Sequence, residues 1–244
     1  WKHQHVPLVM IRMTNAVMSV APIGVFGLIA YTVARHGAAV LLPLAKLIMA
    51  SVVATALYVA LIQLPAIRAF GGTKVVSFLK GIVEPWLIAF TTCSSAAALP
   101  ANIKASRRLG ATKAITYFSL PLGNTINMAG TAIYMGVTAI FAAQVFGISL
   151  SLADQATIVL MGVFAAIGTA GVPGAGLIMT TIVFTQVGIP LEAVALIAGV
   201  DRILDMIRTS INVLGDVASA IIVTRWEGQL HEDPLGADEG EEIV

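Results

Sequence analysis

The longest charge-free run of the chain, residues 114–153, constrains its fold more than any other feature. The run contains no Asp, Glu, Lys or Arg, and it is long enough for a helix to cross about 30 Å of hydrocarbon. It is nevertheless interrupted by "PLGNTINMAGT", which contains a proline, glycines and asparagines. Unpaired backbone groups are tolerated at membrane depth only inside protein or beside a wet cavity. The run therefore predicts a discontinuous transmembrane helix.

The composition supports a location in the membrane. Of the 244 residues, 58% are hydrophobic and 11% are charged, which is too apolar for an ordinary soluble domain. The net charge of +1 provides no basic surface to neutralise a phosphate backbone, so nucleic acid is not an expected partner. The single Cys93 can form no internal disulfide.

Two segments before residue 68 predict transmembrane helices. Residues 13–34 contain no charged side chain, and residues 39–64 contain only Lys46. Both segments are long enough to span a bilayer. The chain begins with Trp1 in a segment without a continuous apolar core, which is not a secretory signal. We therefore expect that the sequence lacks the N-terminal part of its protein.

Two pairs of shorter apolar segments predict re-entrant helical hairpins. The first pair, at about 75–92 and 97–105, is separated by the small residues Cys93–Ala98. The second pair, at about 155–166 and 177–189, surrounds the tip "IGTAGVPGAG". Each segment is too short or too interrupted to cross the bilayer alone. Paired interruptions of this kind indicate the binding site of a secondary transporter.

The distribution of charge predicts the orientation of both hairpins. The basic residues fall on one side if both hairpins re-enter, and by the positive-inside rule that side is cytoplasmic. The first hairpin then opens inward, and the second, flanked by Asp154 and Glu192, opens outward. The basic residues concerned are Arg68, Lys74, Lys80, Lys104, Arg107, Arg108, Lys113 and Arg225.

The last predicted helix, from about 190 to 226, contains an unusual concentration of charge in "GVDRILDMIRTSINVLGD". At about 100° per residue, five of its polar residues project within an arc of about 80°. These are Asp201, Asp205, Arg208, Asn212 and Asp216. An ionisable group at the bilayer centre costs about 2.5–3.5 kcal/mol on insertion scales, so such groups pair, line a wet cavity or bind a ligand.

Two interpretations of this stripe remain open on spacing alone. In the first, Asp201 and Asp205 both pair with Arg208, while Arg202 is exposed at an interface, and the stripe is only an intrahelical network. In the second, the stripe lines a binding site, because ionisable groups inside membranes are usually functional. The excess of aspartates over Arg208 leaves a negative charge that favours a bound cation.

The motifs "LPLGNTINMAGTAIY", "AAIGTAGVPGAG" and "DRILDMIRTSINVLGD" resemble the glutamate transporter family, the dicarboxylate/amino acid:cation symporters. The resemblance extends over residues 13–228. It implies an all-α integral membrane protein with two re-entrant hairpins and a broken helix, which moves as an elevator within a homotrimer. It also implies that helices one to four are missing. Residues 1–67 would form two transmembrane helices, 68–228 the transport domain, and 229–244 a soluble acidic tail.

The resemblance also implies roles for particular side chains. Arg208 would pair with a substrate side-chain carboxylate, because a planar guanidinium suits bidentate binding. Asp205 would accept hydrogen bonds from the α-ammonium group, with Thr209 beside it. The remaining substrate contacts would come from Asn212, from the backbone around Ser94 and Ser95, from Val172, Pro173 and Gly174, and from Thr131 near the substrate side chain.

By the same resemblance, sodium ions would bind at two places through oxygen ligands, which suit a hard cation. The first set would be Asp216 with the carbonyls of Gly123, Asn127 and Asn212. The second set would be the carbonyls of Thr125, Ala166, Ile167 and Thr169.

The sequence departs from the family pattern at four positions. Ala129 replaces a sodium-ligating aspartate, so we expect fewer sodium ions per substrate than in relatives with "NMDG". Met135 stands where animal transporters carry a proton-bearing glutamate. Cys93 and Met206 occupy the two positions, either of which usually carries a second arginine.

The predicted function is therefore secondary uptake of aspartate or glutamate with sodium across the plasma (inner) membrane, in a multi-pass protein that is not an enzyme. Proton coupling, a neutral substrate such as serine or threonine, and a passive channel are the alternatives. An intramembrane aspartyl protease is disfavoured, because Val213 replaces a required glycine and residues 114–153 supply no second aspartate. A phosphate-binding loop is excluded, because no Gly-Lys-Ser/Thr follows "GTAGVPGAG".

Overall fold

The structure is a computed structural model that describes residues 37–231 continuously, together with residues 23, 24, 26, 27, 30, 31, 33 and 34. Within these described residues the regular secondary structure is entirely helical. Most of the helix predicted at 13–34 and most of the acidic tail predicted at 229–244 lie outside them.

The first described span runs from Ala38 to Ala69 without a gap. A short 3-10 turn leads into α1 (Leu41–Tyr58), which continues through a π-helical turn at Val59–Gln63 into α2 (Leu64–Ala69). The span is therefore longer than the apolar pattern predicts, because the helix continues past Gln63 and Pro65. Pro65 is the second residue of α2 and follows the π-turn by two residues, and the helix continues through it.

The first hairpin contains three helices. α3 (Val75–Gly81) and α4 (Val83–Thr92) are bent by 49° relative to each other, and α5 (Ser95–Arg108) packs back against α4. α5 begins two residues earlier than predicted, because the Ser94 hydroxyl caps it by accepting a hydrogen bond from the amide of Ala97 at 3.2 Å.

The charge-free run forms two helices, as its interruption predicts. α6 (Lys113–Ile126) and α7 (Ala129–Val145) are separated by Asn127 and Met128, whose backbones are not helical. Pro121 lies inside α6 and is accommodated there. Gly123, Met128 and Gly130 around the break are buried, whereas Thr125 and Ile126 at the end of α6 are exposed.

The second hairpin is formed by α8 (Leu152–Ile167) and α9 (Ala175–Gln186), which pack against each other. α8 begins with a capping box, in which Ser151 and Asp154 each bond to the other's backbone amide. The tip between the two helices is a turn that ends at Gly174, whose φ of 76° is in the left-handed region that favours glycine.

The last predicted helix is wrong in one respect, because it is two helices. α10 (Glu192–Ala198) ends at Gly199, and α11 (Asp201–Trp226) begins after Val200, whose φ of −118° and ψ of 0° are not helical. Gly199 itself is helical, and the short α10 buries Leu196 and Ile197 in the core.

α11 lies at the centre of the fold and packs against α1, α4, α5, α6 and α7. Among the described residues, three helical spans are long and apolar enough to cross a membrane: Ala38–Ala69, Lys113–Val145 and Asp201–Trp226. Both hairpin tips and the α6–α7 break contact the first half of α11, where the charged stripe lies.

Candidate functional site

The polar stripe of α11 faces the interior, as its period predicts. Its five side chains are between 2% and 6% exposed, while Ile203 on the opposite face is 45% exposed. Buried charges at this depth require partners. The contacts of these five side chains therefore define the site.

Arg208 is held by charge and by an aromatic ring. Its Nε donates to Asp205 Oδ1 at 3.0 Å, and its Nη1 lies 3.8 Å from Asp201 Oδ1. The Tyr134 hydroxyl donates to the same Asp201 oxygen at 2.8 Å, and the Tyr134 ring centroid lies 4.5 Å from Arg208 Cζ. The intrahelical network is therefore present. Arg208 Nη1 nevertheless has no hydrogen-bond acceptor among the described residues, so the guanidinium can still donate a hydrogen bond to a ligand.

Asp205 connects α11 to the second hairpin tip. One of its oxygens, Oδ1, accepts from Arg208 and also from the Thr209 hydroxyl at 2.9 Å. The other oxygen, Oδ2, accepts from the backbone amide of Gly174 at 2.8 Å. The lid-like tip is thus attached to the carboxylate that the sequence assigns to the substrate ammonium group.

The two hairpin tips touch each other above this network. The Ser94 hydroxyl donates to the carbonyl of Gly171 at 3.0 Å, and the Ala96 amide donates to the same carbonyl at 3.4 Å. A Cβ atom on Gly171 would lie 2.5 Å from Ser95 Oγ. The tips therefore meet only because residue 171 has no side chain.

A small polar cavity lies between the tips and α11, with room for about one water molecule. An amino acid is larger than one water, so the tips must separate before such a substrate can enter. Seven of the predicted substrate residues line the cavity: Ser95, Thr131, Val172, Asp205, Arg208, Thr209 and Asn212. The predicted residues Ser94, Pro173 and Gly174 do not line it.

Several cavity residues were not among the predicted substrate contacts. They are Cys93, Met128, Thr169, Ala170, Gly171 and Gly176. Gly176 is the tightest of them, because a Cβ atom there would overlap the Arg208 guanidinium. The run of small residues in "GTAGVPGAG" is the sequence signal for this close approach, although it does not identify which glycine faces the arginine.

The predicted first cation set gathers around Asp216, which is 2% exposed. Asn127 Nδ2 donates to Asp216 Oδ1 at 3.0 Å, whereas Asp216 Oδ2 has no hydrogen-bond partner among the described residues. The Gly123 carbonyl, a predicted ligand, has a helical partner, because α6 continues to Ile126 and this carbonyl accepts from the Asn127 amide at 2.8 Å.

Asn212 links the stripe to the N-terminus of α7. Its Oδ1 accepts from the Gly130 amide at 2.8 Å, and its Nδ2 donates to the Thr131 hydroxyl at 3.1 Å. The amide of Gly130 is one of the first-turn N–H groups that have no intrahelical acceptor. Asn212 therefore stabilises the broken helix at the point where it borders the cavity.

The residues of the predicted second cation set lie in the last turns of α6 and α8 and in the second tip, and α6 contacts α8. The Ala166 carbonyl accepts from the amide of Thr169 at 3.2 Å, and the Thr169 hydroxyl donates to Ala165 at 2.7 Å. Ile167 is the last residue of α8, and Thr125 is in the last turn of α6. Last-turn carbonyls are the expected oxygen ligands at such ends.

The first hairpin tip is fixed by residues that the function prediction did not use. Cys93 adopts a left-handed conformation with φ of 55° and is 1% exposed. Arg202 Nη2 donates to the carbonyl of Thr91 at 2.7 Å, which places a cation at the C-terminal end of α4, where the helix dipole favours it.

Comparison with known proteins shows what this chain is similar to. A model of the sodium:dicarboxylate symporter family matches residues 4–226. The chain is 39% identical to the proton/sodium-glutamate symport protein of Bacillus caldotenax over 224 residues, which are 92% of this chain and 53% of that protein. It is 40% identical to the proton/glutamate-aspartate symporter of Escherichia coli (strain K12) over 218 residues, 89% of this chain and 50% of that protein.

A third relative has a different named substrate. The chain is 37% identical to the C4-dicarboxylate transport protein of Azorhizobium caulinodans over 229 residues, which are 93% of this chain and 51% of that protein. The chain thus spans about half the length of the curated relatives it matches.

Proposed function

The chain belongs to the sodium:dicarboxylate symporter family, and on that premise we propose that it binds an acidic amino acid and sodium within a secondary active symporter. The family consists of transporters and not of enzymes. The relatives' names divide between amino acids and C4-dicarboxylates, and between sodium and protons. The choice among them comes from the residues of the cavity.

One observation carries the choice of substrate. The buried cavity presents a guanidinium from Arg208 and a carboxylate from Asp205 on the same helix face, one turn apart. Aspartate and glutamate carry the complementary pair, a side-chain carboxylate and an ammonium group. A C4-dicarboxylate has no cation for Asp205, so it would bring a second negative charge towards that carboxylate.

When the second tip opens, the Gly174 amide leaves Asp205 Oδ2, and a substrate ammonium group can replace it. Asn212 and the backbone of both tips then remain available for the substrate α-carboxylate, with Thr209 beside the ammonium group and Thr131 near the substrate side chain. Residues Ser94, Ser95, Val172, Pro173 and Gly174 contribute this backbone in the proposal.

The test of substrate class compares aspartate, glutamate, serine and succinate as competitors of labelled aspartate on the intact protein. We expect aspartate or glutamate to bind best. Replacing Arg208 with Cys should abolish binding of acidic substrates and can admit neutral ones, whereas Arg208→Lys should retain weak acidic binding. Equal affinities of the intact protein for succinate and aspartate would contradict the role of Asp205.

For the coupling ion, we propose sodium beside Asp216, with Asn127, Asn212 and Gly123, and a second ion among Thr125, Ala166, Ile167 and Thr169. Cation occupancy offsets the repulsion between Asp216 and an anionic substrate, so the two ligands bind with positive and reciprocal coupling. Titrating substrate affinity against sodium at fixed pH tests this. A sodium-independent affinity would favour a proton, and an Asp216→Asn protein with unchanged sodium dependence would move the ion to the second set.

For the architecture, we propose that both hairpins re-enter the membrane and that residues 68–228 move as an elevator against a fixed scaffold in a homotrimer of the inner membrane. Residues 1–67 would contribute two transmembrane helices that form part of the scaffold and the start of the core, and 229–244 a soluble tail. The support is the order of the elements, in which a pair of short helices comes before the broken helix and a second pair follows it. Concentrative uptake against an imposed sodium gradient distinguishes this symporter from a passive channel, which gives downhill flux only.

A further inference from the structure

Gln63 is a buried polar side chain that none of the roles above explains. It lies in the apolar span Ala38–Ala69 and is 6% exposed, while the adjacent Leu61 and Ile62 are 66% and 56% exposed. Its Oε1 has no hydrogen-bond partner among the described residues. A buried carbonyl oxygen without a partner costs about 1–3 kcal/mol, so this oxygen requires a ligand.

The backbone at Gln63 is unusual as well. Gln63 is the last residue of the π-helical turn Val59–Gln63, which interrupts an otherwise regular helix. A π-turn inserts one extra residue into the helix and is frequent at functional sites. Here it turns a single polar side chain towards α11, while the residues on either side remain apolar.

The position of the Gln63 carboxamide relative to the proposed cation site follows from Gly215. A Cβ atom on Gly215 would lie 2.9 Å from Gln63 Nε2 and 2.9 Å from Asn127 Nδ2. Both amide groups therefore press against the same α-carbon, one residue before Asp216. Asn127 also donates to Asp216 Oδ1 at 3.0 Å, so the Gln63 carboxamide lies against the same glycine as the partner of Asp216.

Two side-chain oxygens in this region have no partner among the described residues, Gln63 Oε1 and Asp216 Oδ2. Rotation of the Gln63 carboxamide by 180° exchanges its nitrogen and oxygen without moving the rest of the side chain. The oxygen then takes the place of Nε2, which lies against Gly215, as Asn127 Nδ2 does. Carboxylate and amide oxygens together are suitable ligands for a hard cation.

We infer that Gln63 is a ligand of the monovalent cation bound at Asp216, and that the π-turn of the first described span exists to present it there. This inference rests on the proposed cation site and adds a contribution from the span Ala38–Ala69, which supplies none of the residues assigned above. It couples the cation to the packing of the π-turn against α11.

The test measures cation binding in the absence of substrate, as the shift in melting temperature of the intact protein with increasing sodium chloride, at ionic strength held constant with choline chloride. Gln63→Leu removes the oxygen at similar volume and should weaken sodium binding about 10-fold. Gln63→Glu retains an oxygen but has no amide donor, and should bind sodium at least as tightly as the wild type.

Thr55→Val is the matched control, because Thr55 is a buried polar residue of the same helix whose hydroxyl bonds within it, to Ser51 at 2.7 Å. Its sodium affinity should equal that of the wild type. The inference is overturned if Gln63→Leu behaves as Thr55→Val does, or if Gln63→Glu binds sodium as weakly as Gln63→Leu, which would make the amide N–H the important group.

Failure of the proposed function is a separate result. If sodium does not stabilise the wild type, or if Asp216→Asn retains the full stabilisation, the inference falls, even when gradient-driven uptake persists. If the wild type shows no uptake but Gln63→Leu specifically loses sodium stabilisation, the proposed function falls and the ligand assignment stands.

Discussion

The two hairpin tips meet at one carbonyl but are held in different ways. The first tip has a side-chain helix cap from Ser94, a buried Cys93, and an arginine of α11 bound to the end of α4. The second tip has no side-chain cap on α9, and Val172 is 49% exposed. It is bonded to the first tip and to α11 through its own backbone, at Gly171 and Gly174.

This difference indicates which tip can detach from α11 and from the other tip. A tip fixed by its own side chains loses several packed groups when it moves, whereas a tip held by a few backbone hydrogen bonds can detach and form them with substrate or water instead. We therefore assign the role of lid to the second tip, which is consistent with the outward opening that its acidic flanks predict.

The largest expected effect comes from Gly171→Ala, which breaks the contact between the tips. Its Cβ atom would lie 2.5 Å from Ser95 Oγ, and such overpacking costs about 1–3 kcal/mol. Substrate affinity should fall about 10- to 100-fold. Gly168→Ala in the same tip is the control, because its nearest neighbour is 3.6 Å away. If both variants lost the same substrate affinity, the tip would tolerate no added side chain at either position. The loss in Gly171→Ala would then not come from the broken contact between the tips.

Thiol labelling compares the tips directly. Cys93 is 1% exposed and should react slowly with a small thiol reagent. A Val172→Cys protein should react at least about tenfold faster, because position 172 is already exposed and the tip does not have to open for the reagent to reach it. Substrate should slow the reaction at position 172, and a bulky competitive ligand should keep it fast. Cys93 reacting as rapidly as position 172 would contradict the fixed first tip.

Ser94→Ala weakens the anchored tip itself. It removes the cap of α5 and the bond to Gly171, and loss of such a cap costs about 1 kcal/mol, or about 2–4 °C in melting temperature. Ser95→Ala, which removes a neighbouring hydroxyl that caps no helix, should cost less. If Ser95→Ala lowered the melting temperature more than Ser94→Ala does, Ser95 and not Ser94 would be the residue that fixes the first tip.

The smallest effect concerns the other end of the second hairpin. Hydrogen bonds from the Ser151 side chain and backbone lower the pKa of the exposed Asp154. A lowered pKa contributes stability above the unfolded value, which is lost as the pH falls through the folded value, below about pH 4. The melting temperature should therefore fall slightly more on acidification in the wild type than in Ser151→Ala. An identical acid dependence would mean that the capping box does not stabilise the base of this hairpin.

Much of the site could be predicted from the sequence, because its signals are local. The 3.6-residue period places Asp201, Asp205, Arg208, Asn212 and Asp216 on one face, and all five are buried. The proline, glycines and asparagines of "PLGNTINMAGT" predict a break, which lies at Asn127 and Met128.

Other features depend on contacts that no local pattern contains. The π-turn that ends at Gln63 lies in an apolar run without glycine, so no residue of the run predicts it. The break at Val200 follows a single glycine. Val200 is β-branched, and β-branched residues do not mark the end of a helix in a sequence. Tyr134 meets Arg208 across two helices. These features follow from tertiary packing, which overrides local preference.

The central position of α11 also has a consequence for the biosynthesis of the protein. Each of its buried charges opposes transfer of the helix from the translocon into lipid, but the helix is synthesised after the segments that supply Asn127, Tyr134 and Gly174. Synthesis from the N-terminus allows these segments to be in the bilayer first. α11 is then inserted beside polar partners that are already in the bilayer instead of directly into lipid. Replacing Tyr134 or Asn127 should therefore lower the yield of inserted protein, independently of any effect on transport.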